Sequence, residues 1–227
     1  MIIAIDGPAG SGKSSTARAV AHRLGFRHLD SGAFYRTLTL AALREDLPTE
    51  RWPDLSLQQL DALRVGARAE GNRFVMRIRD EDVDGDIRGP QVNDHVSEMA
   101  RVPAVRDWLM GRLRAAANDT DLVTDGRDMG TVVFPGAELK VFLVADPETR
   151  ARRRLAEMGT KDPDAEALRA EVRRLLARDR IDSQRETAPL RKAEGAVVVD
   201  TTALTFDEQV GMIETLARAR GAAAPAP

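Results

Sequence analysis

The stretch Gly7-Pro-Ala-Gly-Ser-Gly-Lys-Ser14 decides the interpretation of this chain, because it matches G-x-x-x-x-G-K-[ST] at every fixed position. Its glycines let the backbone wrap tightly, so that successive N–H groups point inward and bind anionic oxygens together with the following helix N-terminus. An apolar run at 1–6 precedes it, and helical spacing follows at 13–24. A phosphate-binding loop between a buried strand and a helix is therefore predicted.

The residue types in this loop indicate a nucleoside triphosphate as ligand. Lys13 is expected to reach the β- and γ-phosphates, and the Ser14 hydroxyl to bind Mg²⁺. The residues predicted to surround the triphosphate are Gly7, Pro8, Ala9, Gly10, Ser11, Gly12, Lys13, Ser14 and Ser15.

Apolar runs alternate with amphipathic stretches along the whole chain, which predicts an α/β fold: a parallel sheet with helices on both faces. The predicted strands are 1–6, 26–29, 121–126, 139–145 and 196–200. The predicted helices are 13–24, 33–44, 104–117, 147–158, 164–180 and 206–220.

Residues 45–95 differ in character from the rest of the chain. They contain Pro48 and Pro53, a polar helix-like stretch near 56–64 and an alternating segment at 72–83, which predicts one or two antiparallel strands. We therefore expect a core of 1–44 and 96–220, with an inserted subdomain at 45–95. The low-complexity tail at 221–227 is predicted to be disordered.

Composition narrows the function classes. The formal net charge is −2, so no global field favours nucleic acid or a membrane surface, and no apolar run reaches the ~18 residues of a membrane helix. The chain has no cysteine and no basic N-terminal leader, which fits a cytoplasmic location. Only four of its 34 basic residues are lysine, so arginine clusters need cautious interpretation.

Three further segments indicate which kind of nucleotide-binding protein this is. They are Leu29–Arg36 (LDSGAFYR), Thr124–Pro135 (TDGRDMGTVVFP) and Arg178–Arg185 (RDRIDSQR), the last followed by TAPL at 187–190. Together with the loop they resemble the bacterial cytidylate kinase family, over most of the chain. The string DGRDMGTVVFP is the most specific part of the match. The resemblance implies a P-loop kinase that transfers the γ-phosphoryl group of ATP to CMP or dCMP, with Mg²⁺ and an inserted monophosphate-binding subdomain at 45–95.

The residues themselves agree with this interpretation. Arg127 and Asp128 follow the strand at 121–126, at the carboxyl edge where open α/β sheets bind ligands. The arginine suits a phosphate, and the aspartate suits the exocyclic amino group of cytosine. Tyr35 and Arg36 are placed to face a nucleoside monophosphate.

The resemblance also implies individual roles. Arg36 and Arg127 would clamp the acceptor phosphate, and Asp125 would lie near the metal through water. The cytosine ring would be read by Ser97, Arg106 and Asp128. The sugar and nearby phosphate would be held by Ser31, Asp182 and Arg185. The predicted catalytic residues are Lys13, Arg127, Arg154 and Arg178.

Several of these residues have structural alternatives that the sequence leaves open. Asp30 suits a cap for the helix at 33–44, and Tyr35 is as suited to the core as to a ligand. Ser97 fits an ordinary helix position, and Arg127 with Asp128 would also make a buried ion pair. The histidines lack metal-ligand spacing and are given no role: His22, His28 and His95.

The arginine-rich helices at 147–158 and 164–180 are interpreted as a lid spanning about 150–180. Gly159 and Pro163 suit a flexible tip between them, and closure would bring cations to the transferring phosphoryl group. The alternative is a solvated face in an arginine-biased protein. By resemblance, Arg154 and Arg178 are the lid residues expected to act.

Other functions remain as alternatives. A uridylate/cytidylate or adenylate-type kinase shares the loop and lid. A GTP-binding switch is less favoured, because Asp82–Gly85 fits D-x-x-G but the sequence has no N-K-x-D motif. A nucleic-acid-binding ATPase lacks a basic stripe interleaved with aromatics. The expected partners are small-molecule substrates only, and the resemblance favours a monomer.

Overall fold

The computed structural model describes residues 1–118 and 120–223, and its strands form one sheet. The strands are β1 Ile2–Asp6, β2 Arg27–Asp30, β3 Val65–Glu70, β4 Arg73–Ile78, β5 Glu81–Asp82, β6 Leu122–Gly126, β7 Leu139–Val144 and β8 Val197–Asp200. The helices are α1 Lys13–Leu24, α2 Ser31–Arg44, α3 Leu57–Ala62, α4 Pro90–Met99, α5 Pro103–Ala115, α6 Pro147–Glu157, α7 Ala165–Ser183 and α8 Phe206–Arg218. A 3₁₀ helix spans Thr49–Asp54, and a π-helical turn spans Met129–Val133.

The centre of the sheet is parallel, as predicted. Its strand order is β2-β6-β1-β7-β8, and each neighbouring pair runs in the same direction. In register, Ile5 of β1 pairs with Asp125 of β6, which pairs in turn with Asp30 of β2. The carboxyl ends of these three strands therefore meet at one edge of the sheet, where such folds bind ligands.

Apolar residues of β1 alternate between two cores, which explains why helices cover both faces. Ile3 and Ile5 are fully buried in a core with α1 and α8, whereas Ala4 joins the opposite core with α2 and α5. Side chains in a strand alternate between its two faces, so a continuous apolar run is what a strand buried on both sides requires. The predicted fold class is confirmed.

The segment 45–95 is built onto the edge of this sheet. β4 and the short β5 lie in the predicted alternating segment and pair antiparallel. β4 also pairs antiparallel with β3, which precedes that segment and was not predicted, and runs parallel to β2, with Arg73 opposite His28. Trp52 and Leu60 belong to the same core as Leu29 of β2. The division into core and inserted subdomain stays a prediction, because the sheet and one core are continuous across it.

The first part of the predicted tail at 221–227 packs against the core. Ala222 is buried in the core beside α8, and its N–H donates to the carbonyl of Ala217. The remainder of the predicted disordered tail, 224–227, lies outside the described residues. No helix within 1–118 or 120–223 has both the length and the apolar character that crossing a membrane requires.

Candidate active site

A cleft of about 720 Å³ opens at the carboxyl ends of β1, β2 and β6. The glycine-rich loop, α2, α4 and the α6–α7 pair surround it. It contains these predicted residues: Ala9, Gly10, Gly12, Lys13, Ser14, Ser15, Ser31, Tyr35, Arg36, Ser97, Asp125, Arg127, Asp128, Arg154, Arg178, Asp182 and Arg185. Four predicted residues are not part of this lining: Gly7, Pro8, Ser11 and Arg106.

The glycine-rich loop has the backbone that its sequence predicts. Gly10 and Gly12 have φ values of +72° and +86°, a left-handed conformation that side chains disfavour. A Cβ on Gly7 would stand 2.2 Å from the carbonyl oxygen of Leu143 on β7. The loop therefore needs glycine at two positions for its conformation and at a third for space.

Lys13 lies buried at the floor of the loop. Its Nζ donates to the carbonyl of Pro8 at 3.2 Å. Burial, together with the positive charge of Arg127, lowers the pKa of Lys13 to about 7. A buried ammonium beside another cation is stabilised by an anion, so the site favours a phosphate at this point.

Ser14 and Asp125 form a pair of oxygen donors beside Lys13. The Ser14 hydroxyl donates to Asp125 Oδ2 at 2.5 Å, and the other carboxylate oxygen lies 2.8 Å from His28 Nε2. A hydroxyl and a carboxylate are hard ligands of the kind Mg²⁺ prefers, so these residues fit the predicted metal. His28 has a role that the sequence interpretation missed: it orients the Asp125 carboxylate from 97 residues away.

The far end of the cleft contains two ion pairs, one buried and one part-buried. Asp128 pairs with Arg106, whose guanidinium also lies over the Tyr35 ring at 5.6 Å. Arg127 donates through Nε to Asp182 at 2.8 Å. The alternative in which Arg127 and Asp128 pair with each other is wrong, because each has a different partner.

The residues with open alternatives are placed as follows. Tyr35 serves both interpretations, since it lines the cleft and packs in the core, where burial raises its pKa to about 12. Asp30 caps α2 by accepting from the N–H of Ala33, and it also pairs with Arg88. Ser97 lies in α4 and lines the cleft.

Two cleft residues on or before α4 were missed. Asn93 Oδ1 accepts from Arg36 at 2.5 Å and from Arg154 of α6 at 3.5 Å, so it bridges two predicted phosphate-binding arginines. Arg88 lines the cleft beside Asp30. The helix itself had a signal, because proline favours the first turn and Gly89-Pro90 begins α4.

The bases of α6 and α7 are tied to the glycine-rich loop. Asp179 of α7 accepts from the N–H of Ala9 at 3.0 Å and from Arg150 of α6 at 2.5 Å. Arg150 also donates to the carbonyl of Ala9 at 2.9 Å. Both polar groups of Ala9 are therefore bound by the two helices interpreted as a lid.

Arg178 is positioned differently from its neighbours. Among the described residues it forms no ion pair, and its buried Nε has no hydrogen-bond partner. Burial lowers its pKa to about 10, with the charge of Arg127 contributing. A half-buried cation that faces the cleft without a partner would be stabilised by an anionic ligand.

Comparison with known proteins bears directly on this site. The sequence pattern of the family described as cytidylate kinase matches residues 3–219. A protein named cytidylate kinase from Pelodictyon phaeoclathratiforme is 43% identical over 228 residues, covering 97% of this chain and 96% of that one. Another, from Streptococcus pneumoniae, is 43% identical and covers 96% of this chain and 97% of that one.

A solved structure supports the fold alone. That of an uncharacterized protein from Eubacterium ventriosum covers 95% of this chain and 97% of that one, with a TM-score of 0.53 and 13% identity. The match in sequence carries more weight, because it spans both the glycine-rich loop and the far end of the cleft. The resemblance is confirmed: this chain belongs to the cytidylate kinase family.

Proposed function

We propose that this protein transfers the γ-phosphoryl group of ATP to CMP and dCMP. The observation that carries the proposal is the single cleft that joins the glycine-rich loop to the buried Arg106–Asp128 pair. A phosphate-binding loop at one end and a donor–acceptor pair at the other suit two nucleotides placed with their phosphates together. The names of the relatives agree with this reaction.

On the donor side, the loop N–H groups and Lys13 hold the triphosphate. Ser14 and, through water, Asp125 would hold Mg²⁺, which when bound neutralises the charge of the phosphates. No group of three or more His, Cys, Asp or Glu side chains placed to hold a metal ion lies among the described residues. Ser14 and Asp125 suit Mg²⁺, which uses one or two protein ligands and takes the rest from phosphates and water.

On the acceptor side, Arg36 and Arg127 bind the phosphate of the monophosphate. Asp128 accepts from the cytosine amino group and Arg106 holds that carboxylate, with Ser97 nearby on α4. Ser31, Asp182 and Arg185 contact the sugar. Tyr35 packs beside the base. Burial lowers the pKa of Arg36 to about 9, which means that its charged form is destabilised in the free protein. A bound phosphate would stabilise that charge.

The chemistry needs charge neutralisation and alignment rather than a base. A phosphate monoester has its second pKa near ~6, so the acceptor is already a dianion at neutral pH. Arg154 and Arg178 then stabilise the negative charge of the transferring group, and the α6–α7 lid excludes water.

The residues 45–95 form the acceptor-binding insertion in this proposal. We expect the protein to act as a cytoplasmic monomer.

The direct test is ADP release from Mg-ATP with CMP, dCMP, UMP, AMP, GMP or no acceptor. The proposal requires strong stimulation by CMP and dCMP and weak stimulation by UMP. Stimulation mainly by AMP would favour an adenylate-type kinase. Slow ADP release that no monophosphate stimulates would overturn the kinase proposal.

Binding of Mg-ATP at about pH 8 is expected to take up a proton, because Lys13 has a pKa of about 7 in the free protein and bound phosphates raise it. Affinity for ATP therefore rises as the pH falls from about 8 toward 7. Calorimetry in two buffers of different ionisation enthalpy measures the uptake. Lys13→Met is the control and should abolish it; equal uptake by both proteins would contradict the assignment to Lys13.

Arg178→Ala is expected to lower kcat about 100-fold, because it removes a cation from the transferring phosphoryl group. The same change should leave the thermal midpoint of the free protein unchanged or higher, since the wild-type guanidinium is half-buried without a partner. Steady-state kinetics and thermal unfolding check the two expectations. Arg173→Ala, on the exposed side of the same helix, is the matched control.

A further inference from the structure

Asp6, the last residue of β1, is a buried carboxylate that none of the roles above uses. Its side chain is 2% exposed. Oδ1 accepts from the N–H of Met129 and Oδ2 from the N–H of Gly130, each at 2.8 Å. One carboxylate thus holds two successive backbone amides that lie more than 120 residues away.

These two amides begin the π-helical turn Met129–Val133. The first N–H groups of a helical segment have no partner within it, and Asp128, which precedes the turn, makes no side-chain cap. Buried N–H groups without partners are costly. Asp6 satisfies both of them, so it fixes the backbone directly after Asp128.

The packing around Gly130 allows this approach. A Cβ at Gly130 would meet Ala193 Cβ at 3.3 Å, Asp6 Oδ2 at 3.4 Å and Lys140 Cδ at 3.4 Å. A methyl group there would contact the carboxylate and would be crowded by Ala193. The clamp and the glycine are therefore two parts of one arrangement.

Holding a carboxylate here has an energetic cost that the hydrogen bonds offset. Burial raises the pKa of Asp6 to about 6, and the negative charge of Asp128 adds to the rise. The amides of Met129 and Gly130 and the charge of Arg127 act in the opposite direction. Charge-assisted hydrogen bonds of this kind are stronger than neutral ones, which suits a fixed anchor.

We propose that Asp6 is a positioning residue for the acceptor nucleotide: by clamping the turn after Asp128, it sets the direction in which the Asp128 carboxylate meets Arg106 and the base. This inference rests on the proposed function. It is specific, because Asp6 is the immediate neighbour of Gly7 in the donor loop, yet its carboxylate contacts the acceptor segment. Its loss is therefore expected to affect the acceptor and to spare ATP.

The test is Asp6→Asn, which keeps the shape but turns one acceptor into a donor facing an N–H group. We expect KM for CMP to rise about 10-fold, with KM for ATP within about twofold of wild type, the change reflecting a lost charged hydrogen bond. Equilibrium binding of CMP without ATP should weaken by the same factor. If Asp6→Asn does not fold, Gly130→Ala, which places a methyl group against the same carboxylate and crowds Ala193, is measured instead with the same expectation.

Asp146→Asn is the matched control. Asp146 also accepts from two successive backbone amides, those of Glu148 and Thr149, but it caps α6 and is not part of the cleft lining. It should leave the affinity for CMP unchanged. A similar weakening of CMP binding in this control would indicate a general effect of losing a cap and would overturn the proposal.

A double-mutant cycle decides whether Asp6 acts through Asp128. In an Asp128→Asn background, Asp6→Asn should have little further effect on CMP binding, because residues that act as a unit are not additive. Full additivity, or equal weakening of CMP and ATP by Asp6→Asn, would overturn the proposal. Failure of the proposed function looks different: the wild-type protein itself would then show no response to CMP.

Discussion

Replacing Lys13 with alanine is expected to lower kcat by about 1,000-fold, in line with the loss of a principal cation at the transferring phosphoryl group. The ammonium is held at the floor of the loop by the carbonyl of Pro8, and no other lysine lines the cleft described here. Removing a buried charge without an acidic partner within hydrogen-bond distance should not unfold the protein. Steady-state kinetics with saturating Mg-ATP and CMP measure the loss, and circular dichroism with thermal unfolding checks the fold.

Lys161→Ala is the matched control for this variant. Lys161 is exposed in the connection between α6 and α7, so its removal should change kcat by less than about twofold. A Lys13→Ala protein that is folded and retains more than about a tenth of wild-type kcat would contradict the role of Lys13.

Asp128→Ala is expected to lower kcat/KM for CMP by about 100- to 1,000-fold while KM for ATP stays within about twofold. The variant loses the acceptor for the cytosine amino group and also leaves the Arg106 cation buried without its partner, a loss worth about 3–5 kcal/mol for buried pairs. The acceptor site is then both unpaired and misoriented. Kinetics with each substrate varied in turn measure the effect on CMP separately from the effect on ATP.

Asp128→Asn separates binding from stability. It keeps an oxygen acceptor for Arg106, so it should unfold at a temperature closer to wild type than Asp128→Ala does, yet still bind CMP weakly. Equal losses for CMP and ATP in a folded Asp128→Asn protein would contradict a base-reading role.

The features that local sequence encodes were predictable. The glycine-rich loop, its flanking strand and helix, and the parallel sheet follow from local spacing and apolar runs, since glycine conformations and strand burial depend on nearby residues. The Asp30 cap and strand β4 were of the same kind, whereas β3 was not predicted. The roles assigned by resemblance to residues in the cleft stay predictions until the variants are measured.

The features that depend on distant partners were not predictable. His28 and Asp6 have no spacing signal, because each acts on a segment about 100 residues away that only the sheet brings near. The partners of Arg127 and Asp128 were open for the same reason: sequence places two opposite charges side by side, and the fold separates them toward Asp182 and Arg106. Asn93 was missed because a neutral amide between two arginines carries no motif.

The link between Asp179 and the amide of Ala9 gives this protein a built-in reporter. That amide proton is held by a side chain from α7, so it exchanges with solvent deuterium only when the base of the lid moves away from the loop. One resonance in a proton–nitrogen spectrum thus records the extent of opening. Comparing its protection with that of the buried amides of β1 separates lid motion from global unfolding, with no label attached to the protein surface.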